Sequence, residues 1–157
     1  MLRVAVIGMR GIGTTHATCY AGDSLAELVV CCDMVKERAD STAQRFGAKP
    51  YYSVQEMLAK EKLDAVSVST GGFENGGDHY TPVMECLNAG LHVLCEKPLS
   101  NNIEQAREME KFAERAARIN ALIGKIRPIE RELTAGKTVA RGRLDEIQKE
   151  VDALAAR

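Results

Sequence analysis

The sequence of 157 residues has no tryptophan, only 4% aromatic residues, and no excess of either charge. Its 21 basic and 22 acidic side chains give a formal net charge of -1, whereas a nucleic-acid or anionic-membrane partner would favour a strong basic excess. No apolar run approaches the roughly 18 residues of a membrane span. The start, MLRVAVIG, lacks the charged segment and the cleavage site of a secretory signal. We therefore expect a cytoplasmic chain without nucleic-acid or membrane partners.

Cysteines are few and are not arranged for metal or disulfide chemistry. The five are odd in number, lie mostly within apolar segments and include no C-x-x-C pair, which is the spacing expected of a zinc or redox site. We predict that they are reduced thiols of the core and that the chain has no metal site.

Short apolar runs rich in β-branched residues alternate with helical patterns over the first two thirds of the chain. Such alternation predicts an α/β fold with a doubly wound parallel sheet, whose ligand lies at the carboxyl ends of the strands. The predicted strands cover residues 2–7, 26–32, 65–70 and 91–95. The predicted helices cover residues 14–22, 36–46, 54–60, 81–88 and 101–118, the last of them opened by a capping box of Asn101 and Glu104.

A glycine-rich loop directly follows the first predicted strand. Its glycines are Gly8, Gly11 and Gly13, and such a turn lets a pyrophosphate approach backbone N–H groups at a helix N-terminus. Asp33 ends the second strand at about the 20-residue spacing at which a carboxylate accepts hydrogen bonds from the adenosine ribose of NAD. We interpret the glycine loop and Asp33 together as a dinucleotide-binding site. The alternative is an ordinary strand-to-helix turn followed by a loop carboxylate.

Two stretches carry a resemblance to a known family. One is the glycine loop at 8–16, in which His16 stands three residues after the last glycine, and the other is C-E-K-P-L-S at 95–100. His79, ahead of a predicted helix, is similar to a third family position. On these residues the chain resembles the N-terminal half of the Gfo/Idh/MocA oxidoreductases, the family of glucose–fructose oxidoreductase and inositol dehydrogenase, over residues 2–118.

The resemblance implies a Rossmann fold that binds a nicotinamide dinucleotide and serves hydride transfer with a sugar- or polyol-like substrate. The predicted catalytic residue is Lys97, whose ammonium would contact the nicotinamide ribose and the substrate. The alternative is a loop lysine paired with Glu96. The predicted cofactor-binding residues are Gly8, Arg10, Gly11, Ile12, Gly13, Asp33, Met34, Thr70, Gly71, His79, Glu96, Lys97 and Pro98.

The end of the second strand favours NAD as the cofactor. Asp33 would repel a 2′-phosphate, and Met34 rather than an arginine follows it. Lys36 and Arg38 keep NADP as the alternative.

Two departures from the family pattern affect this site. Arg10 stands where the family has its middle glycine. We expect its side chain either to point away from the cofactor or to reach across a phosphate. Gly11 would then be the residue at which the pyrophosphate closely approaches the backbone. The segment at 71–77 carries four glycines and is longer than the family's turn. It is either a mobile segment over the nicotinamide half of the cofactor or a tolerated insertion.

We predict two regions: a Rossmann domain at 1–123, closed by a sixth strand at 119–123, and a helical tail at 124–157 in place of the family's substrate domain. Apolar residues in the tail, at positions 144, 147, 151 and 154, have the spacing of an amphipathic helix over 138–156. This helix either lies across apolar surface that a substrate domain would cover or forms a homodimer contact.

The length of the chain leaves two functional hypotheses open. In the family, the general acid/base that hydride transfer needs comes from the substrate domain, and we therefore expect a truncated oxidoreductase. The alternative is a non-catalytic or engineered dinucleotide-fold module whose tail mediates self-association.

Overall fold

The computed structural model describes residues 1–71 and 77–155, with the backbone alone at positions 119, 120 and 155. Most of the glycine-rich segment predicted to be a mobile loop or an insertion, residues 72–76, lies outside the described residues. The chain divides into two units, Met1–Glu110 and Lys111–Arg157.

The first unit contains a five-stranded, fully parallel sheet in the order β3-β2-β1-β4-β5. The prediction of a doubly wound α/β fold is confirmed. The strands are β1 Leu2–Ile7, β2 Ala26–Cys32, β3 Lys49–Tyr51, β4 Ala65–Val68 and β5 His92–Cys95. The helices of the chain are α1 Gly11–Gly22, α2 Lys36–Phe46, α3 Val54–Lys60, α4 Tyr80–Asn88, α5 Ile103–Thr134 and α6 Arg141–Ala155.

Apolar side chains cover both faces of the sheet, because strands of a parallel sheet are buried on both sides. One face contributes Ile7 and Val68 to a cluster that includes Met57 of α3, Cys86 of α4 and Met109 of α5. The opposite face contributes Val6 and Cys31 to a cluster with Ala17 of α1 and Ala43 of α2. These two clusters hold the strand ends, and the loops that follow them, in fixed positions.

Four helices begin at residues other than those predicted: α4 begins one residue earlier, at Tyr80, α6 begins three residues later, at Arg141, and α1 and α5 differ more in their consequences. Helix α1 begins at Gly11 rather than at residue 14, so the last glycines of the loop form its first turn. Helix α5 begins at Ile103, and Asn102 Oδ1 accepts from the N–H groups of Glu104 (2.8 Å) and Gln105 (3.3 Å). The predicted capping box of Asn101 and Glu104 is therefore wrong, and the cap lies one residue later.

The predicted sixth strand at 119–123 is also wrong, because these residues lie within α5. Alanine, glutamate, arginine and lysine, which are strong helix formers, surround this short apolar segment on both sides and continue the helix through it. The helix even includes Pro128, and it ends at Thr134.

The second unit pairs the end of α5 with α6. Lys125 forms an ion pair with Glu150 at 2.5 Å, and Arg143 forms one with Glu132 at 2.9 Å. Helix α6 lies within the helix predicted at 138–156 and begins three residues later. Over the described part of the chain, no helix combines the length and the apolar character needed to cross a membrane.

Candidate functional site

The carboxyl ends of four strands meet at one edge of the sheet. Ile7 lies opposite both Cys32 and Val68, and Val68 lies opposite Cys95. Backbone bonds continue the pairing beyond the strands, from Gly8 N–H to the Cys32 carbonyl (2.8 Å) and from Glu96 N–H to the Val68 carbonyl (2.9 Å). The four loops predicted to carry the site are thus neighbours, as expected for a parallel sheet.

The glycine loop is packed so closely that its first and last glycines have no room for a side chain. Gly8 has a φ of 92°, and a Cβ there would lie 2.6 Å from the Ser69 carbonyl oxygen. A Cβ on Gly13 would lie 1.7 Å from the Gly8 carbonyl oxygen. Helix α1 therefore starts directly against the end of β1, and this fixes where its free N–H groups lie.

The middle of the loop is open. Nothing lies within 4 Å of a Cβ added to Gly11, and Arg10 and Ile12 are exposed. Arg10 is the N-cap residue of α1, but no side chain caps the helix and its first turn has no acidic residue. Among the described residues, the positive end of the helix is thus without a side-chain cap, and the space beside Gly11 is open.

Asp33 joins the glycine loop to the end of β2. Its Oδ2 accepts from Met9 N–H (2.7 Å), and its Oδ1 accepts from Val35 N–H (2.8 Å). A carboxylate oxygen has two lone pairs, so each oxygen keeps one acceptor position for a hydroxyl group. Beside it, Met34 is 88% exposed and Arg38 Nη1 lies 3.9 Å from Asp33 Oδ1.

The carboxylate of Glu96 is bound by a group other than the Lys97 ammonium. Glu96 Oε1 lies 3.2 Å from Nε2 of His16, and Oε2 accepts from the backbone N–H of Lys97 at 3.1 Å. The Lys97 side chain is exposed, and its ammonium contacts no carboxylate among the described residues. The alternative in which the Lys97 ammonium pairs with Glu96 is therefore wrong. The Lys97–Pro98 peptide bond is cis.

Sequence reasoning missed the role of His16. Its Nδ1 lies 2.6 Å from Ser67 Oγ and 3.2 Å from Ser69 Oγ, so this residue of α1 joins β4 to Glu96. The signal was present as two serines, two positions apart, at the end of an otherwise apolar strand. Residues two apart share one face of a strand, and polar groups on a buried face need a partner.

His79 lies between the loops that follow β4 and β5. Its ring is buried, with Nε2 2.6 Å from the Thr70 carbonyl oxygen and Nδ1 2.7 Å from the Pro98 carbonyl oxygen. Thr70 Oγ1 donates to the Asp78 carbonyl at 2.8 Å. Both ring nitrogens are therefore occupied by backbone groups of the site.

A cavity of about 510 Å³ lies beside His79 and Pro98. Its other lining residues are mostly polar: Gly77, Asp78, Ser100, Asn101, Asn102 and Gln105. The backbone also passes close to itself here, since a Cβ on Gly77 would lie 1.8 Å from the Gly71 carbonyl oxygen. Gly71 and Gly77 are therefore in direct backbone contact.

A doubly wound parallel sheet with a glycine loop, an uncapped helix N-terminus and an acidic residue after β2 defines a Rossmann domain of the dinucleotide-binding class. The chain belongs to the Gfo/Idh/MocA family: the family model, described as an oxidoreductase family with an NAD-binding Rossmann fold, matches residues 2–123. The resemblance drawn from the glycine loop and the Glu-Lys-Pro triplet is confirmed.

Similar proteins carry the names of sugar dehydrogenases. The chain is 38% identical over 123 residues to D-glucoside 3-dehydrogenase of Escherichia coli, covering 76% of this chain and 34% of that protein. It is 32% identical over 115 residues to glucose-6-phosphate 3-dehydrogenase of Bacillus subtilis, covering 73% of this chain and 31% of that protein. The chain thus spans about a third of the length of these relatives.

Solved structures agree with the fold. The WlbA dehydrogenase of Bordetella pertussis, in complex with NADH and UDP-GlcNAcA, matches with a TM-score of 0.67 at 30% identity. The match covers 74% of this chain and 35% of that one. GenD2 of gentamicin A biosynthesis, in complex with NAD, matches with a TM-score of 0.68 at 29% identity, over 74% and 32% of the two chains.

Proposed function

We propose that this chain binds NAD at the carboxyl edge of its sheet and forms the cofactor-binding part of an oxidoreductase for sugar- or polyol-like substrates. The observation that carries the proposal is the shape of the glycine loop. Gly8 and Gly13 are closed to any side chain, whereas the space at Gly11, in front of the uncapped helix N-terminus, is open. That combination suits a pyrophosphate, which needs close backbone approach and free N–H donors.

We assign cofactor contacts to other residues at the carboxyl edge of the sheet from their hydrogen-bonding groups and their positions. The spare lone pairs of Asp33 would accept from the adenosine ribose hydroxyls, beside the exposed Arg10, Ile12 and Met34. Thr70 and Gly71 would line the nicotinamide side, next to Glu96 and Pro98.

Lys97 is proposed to act at the reacting end of the cofactor. NAD, when bound at this edge, would supply the hydride acceptor for the carbon that carries the substrate hydroxyl. The ammonium of Lys97 would donate a hydrogen bond to that oxygen and favour the negative charge that it develops as its proton passes to a general base. The binding of Glu96 to His16 leaves Lys97 available for this contact.

NAD is preferred over NADP in this proposal. The Asp33 carboxylate is buried at 9% exposure, and a 2′-phosphate next to it would be repelled. The basic residues that favour the alternative are already engaged, since Arg38 lies near Asp33 and the Lys36 ammonium lies 5.4 Å from the centroid of the Tyr52 ring.

Calorimetric titrations of the chain with NADH and with NADPH test the cofactor assignment. The wild type should bind NADH more tightly than NADPH. If it binds neither dinucleotide, the proposal is refuted. Gly11→Ala should weaken NADH binding by about tenfold, or ~1.4 kcal/mol, because the new methyl group occupies the open space.

Gly22→Ala is the matched control, because Gly22 lies at the other end of α1 and also has nothing within 4 Å of an added Cβ. It should bind NADH like the wild type. An unchanged affinity in Gly11→Ala would show that the pyrophosphate does not lie at this loop.

We propose as the second candidate a self-associating module, favoured by the surface of α6. Leu144 and Val151 on its apolar stripe are 44% and 38% exposed, and a homodimer contact would cover them. Sedimentation at several concentrations tests this role, and a single monomeric species throughout would refute it.

We also propose a cytoplasmic location, since an odd number of cysteines does not favour a disulfide framework.

A further inference from the structure

His16 connects three elements of the sheet edge through its two ring nitrogens. The residue lies in α1, and its Nδ1 lies 2.6 Å from Oγ of Ser67 in β4 and 3.2 Å from Oγ of Ser69 directly after that strand. Its Nε2 lies 3.2 Å from Oε1 of Glu96, which follows β5. A carboxylate only accepts hydrogen bonds, so the ring nitrogen is the donor in this last contact.

These contacts are largely shielded from water. Ser67 and Ser69 are buried, and the side chains of His16 and Glu96 are 16% and 23% exposed. Hydrogen bonds in such surroundings are electrostatically stronger than in water, and polar groups there depend on their partners. The Glu96 carboxylate is therefore held in one position by the ring.

The order of carboxylate, imidazole and hydroxyl is also that of a hydrolytic triad. Ser67, however, is fully buried within β4, and Ser69 is buried as well. A nucleophile has to reach its substrate, and neither hydroxyl group is accessible to one. The arrangement therefore holds Glu96 in place and does not attack a substrate.

Glu96 passes this constraint on to Lys97. Its Oε2 accepts from the backbone N–H of Lys97 at 3.1 Å, while its own N–H donates to the Val68 carbonyl at 2.9 Å. Glu96 is thus fixed by β4 at its backbone and by α1 at its carboxylate. The peptide group that carries the Lys97 N–H is fixed with it.

Helix α1 is itself fixed at its start, about one turn before His16. A Cβ on Gly13 would lie 1.7 Å from the Gly8 carbonyl oxygen, and a Cβ on Gly8 would lie 2.6 Å from the Ser69 carbonyl oxygen. The glycine loop, the end of β4 and the first turns of α1 therefore pack as one body. A side chain on this helix can transmit the position of the loop to the residues after β5.

We propose that His16 is a positioning residue that fixes the Glu96 side chain and the Lys97 backbone relative to helix α1. It thereby links the glycine loop at one end of the proposed cofactor site to the lysine at the other. The effect on NADH binding rests on the proposed function, whereas the effect on the Lys97 backbone does not.

The variants His16→Gln and His16→Asn separate the two contacts of the ring. The amide nitrogen of glutamine reaches about as far as Nε2 of histidine and can donate to Glu96, whereas the shorter asparagine reaches only the position of Nδ1, beside the serines. Hydrogen exchange of backbone amides, followed by NMR in the cofactor-free chain, measures the result. The Lys97 amide should exchange about fivefold faster in His16→Asn, and at about the wild-type rate in His16→Gln.

The Glu96 amide is the internal control, because it donates to the Val68 carbonyl at the end of the sheet and should keep its protection in both variants. Ser67→Ala weakens the same link without replacing His16, so it should speed Lys97 exchange even if His16→Asn does not fold. An unchanged Lys97 amide in the folded variants would overturn the proposal. Equal losses of protection at Glu96 and Lys97 would also overturn it, because they would indicate a merely structural role.

A double-mutant cycle with Lys97→Met tests the consequence for the cofactor. His16→Asn should weaken NADH binding about tenfold in the wild-type background and less than about twofold in the Lys97→Met background, because the effect passes through Lys97. The exposed His92 provides the control, since His92→Gln should bind NADH like the wild type.

Equal losses of affinity in the two backgrounds would overturn the link between His16 and Lys97 in cofactor binding. Failure of the wild type to bind NADH would instead refute the proposed function. The exchange rates would then still decide whether His16 positions the Lys97 backbone.

Discussion

Replacement of Gly13 by alanine is a sharp test of the packing that forms the cofactor loop. Gly13 lies in the first turn of α1, where alanine would normally stabilise a helix by roughly 1 kcal/mol relative to glycine. Here the added Cβ would lie 1.7 Å from the carbonyl oxygen of Gly8 and 3.4 Å from Cβ of Ser69. The first of these contacts is impossible, so the start of α1 has to move away from the end of β1.

The size of the effect follows from the nature of the clashing atom. The Gly8 oxygen belongs to a backbone that β2 also holds, through the bond from Gly8 N–H to the Cys32 carbonyl, so it cannot turn aside like the end of a side chain. Overpacking costs about 1–3 kcal/mol, and a backbone clash belongs at the upper end. After subtraction of the helix preference of alanine, we expect a net loss of about 2 kcal/mol.

Thermal and urea unfolding measure this loss against Gly22→Ala, which changes the same residue type in the same helix without a clash. At roughly 2–4 °C per kcal/mol for a chain of this size, Gly13→Ala should lower Tm by about 4–8 °C. Gly22→Ala should leave Tm unchanged or raise it slightly. Equal Tm values for the two variants would refute the claim that the helix start is packed directly on the strand end.

Two further predictions concern titratable groups outside the loop. The prediction that all five cysteines belong to the core is wrong for Cys19, which is exposed. At about pH 8 a thiol reagent should modify Cys19 quickly and the other four cysteines only on unfolding, and more than one fast thiol would contradict this. Burial raises the pKa values of these four, to about 11 for Cys31 and Cys95 and about 12 for Cys32 and Cys86. Hydrogen bonds from Lys49 and Tyr51 lower the pKa of Glu61, so its stabilisation is present above the pKa of an unfolded glutamate, about 4.3, and is lost as the pH falls through the lowered value. The difference in urea midpoint between wild type and Glu61→Gln should therefore shrink in acid, and a difference independent of pH would show that the charge of Glu61 has no part in it.

Much of the fold was predictable because its signals are local. Continuous apolar runs of strand length and helical patterns between them repeat over short windows, so the bounds of β2, α2 and α3 were predicted residue for residue. The prediction of a sixth strand at 119–123 was wrong because its local signal was too weak. A five-residue apolar run has no decisive period of its own, and the helix formers on either side determined its structure.

The candidate site also has a part that the sequence predicts and a part that it does not. Spacing along the chain was enough to select Gly8, Gly13 and Asp33, because a tight turn after a strand and an acidic residue about 20 positions later are properties of the linear sequence. The Glu-Lys-Pro triplet could also be identified from the linear sequence. The contacts that the Glu96 and Lys97 side chains make could not be predicted from it.

What the sequence by itself determined is the class of the domain, its parallel sheet, its glycine loop and its family. Only the tertiary structure decided that the Glu96 carboxylate lies against His16 and not against the Lys97 ammonium, and that His79 lies between two carbonyl oxygens. The reason is physical: these partners come from separate strands and helices, and the packing of α1 and α4 on the sheet sets their distances. A hydrogen bond depends on a separation of about 3 Å and on direction, and neither can be obtained from spacing along the chain.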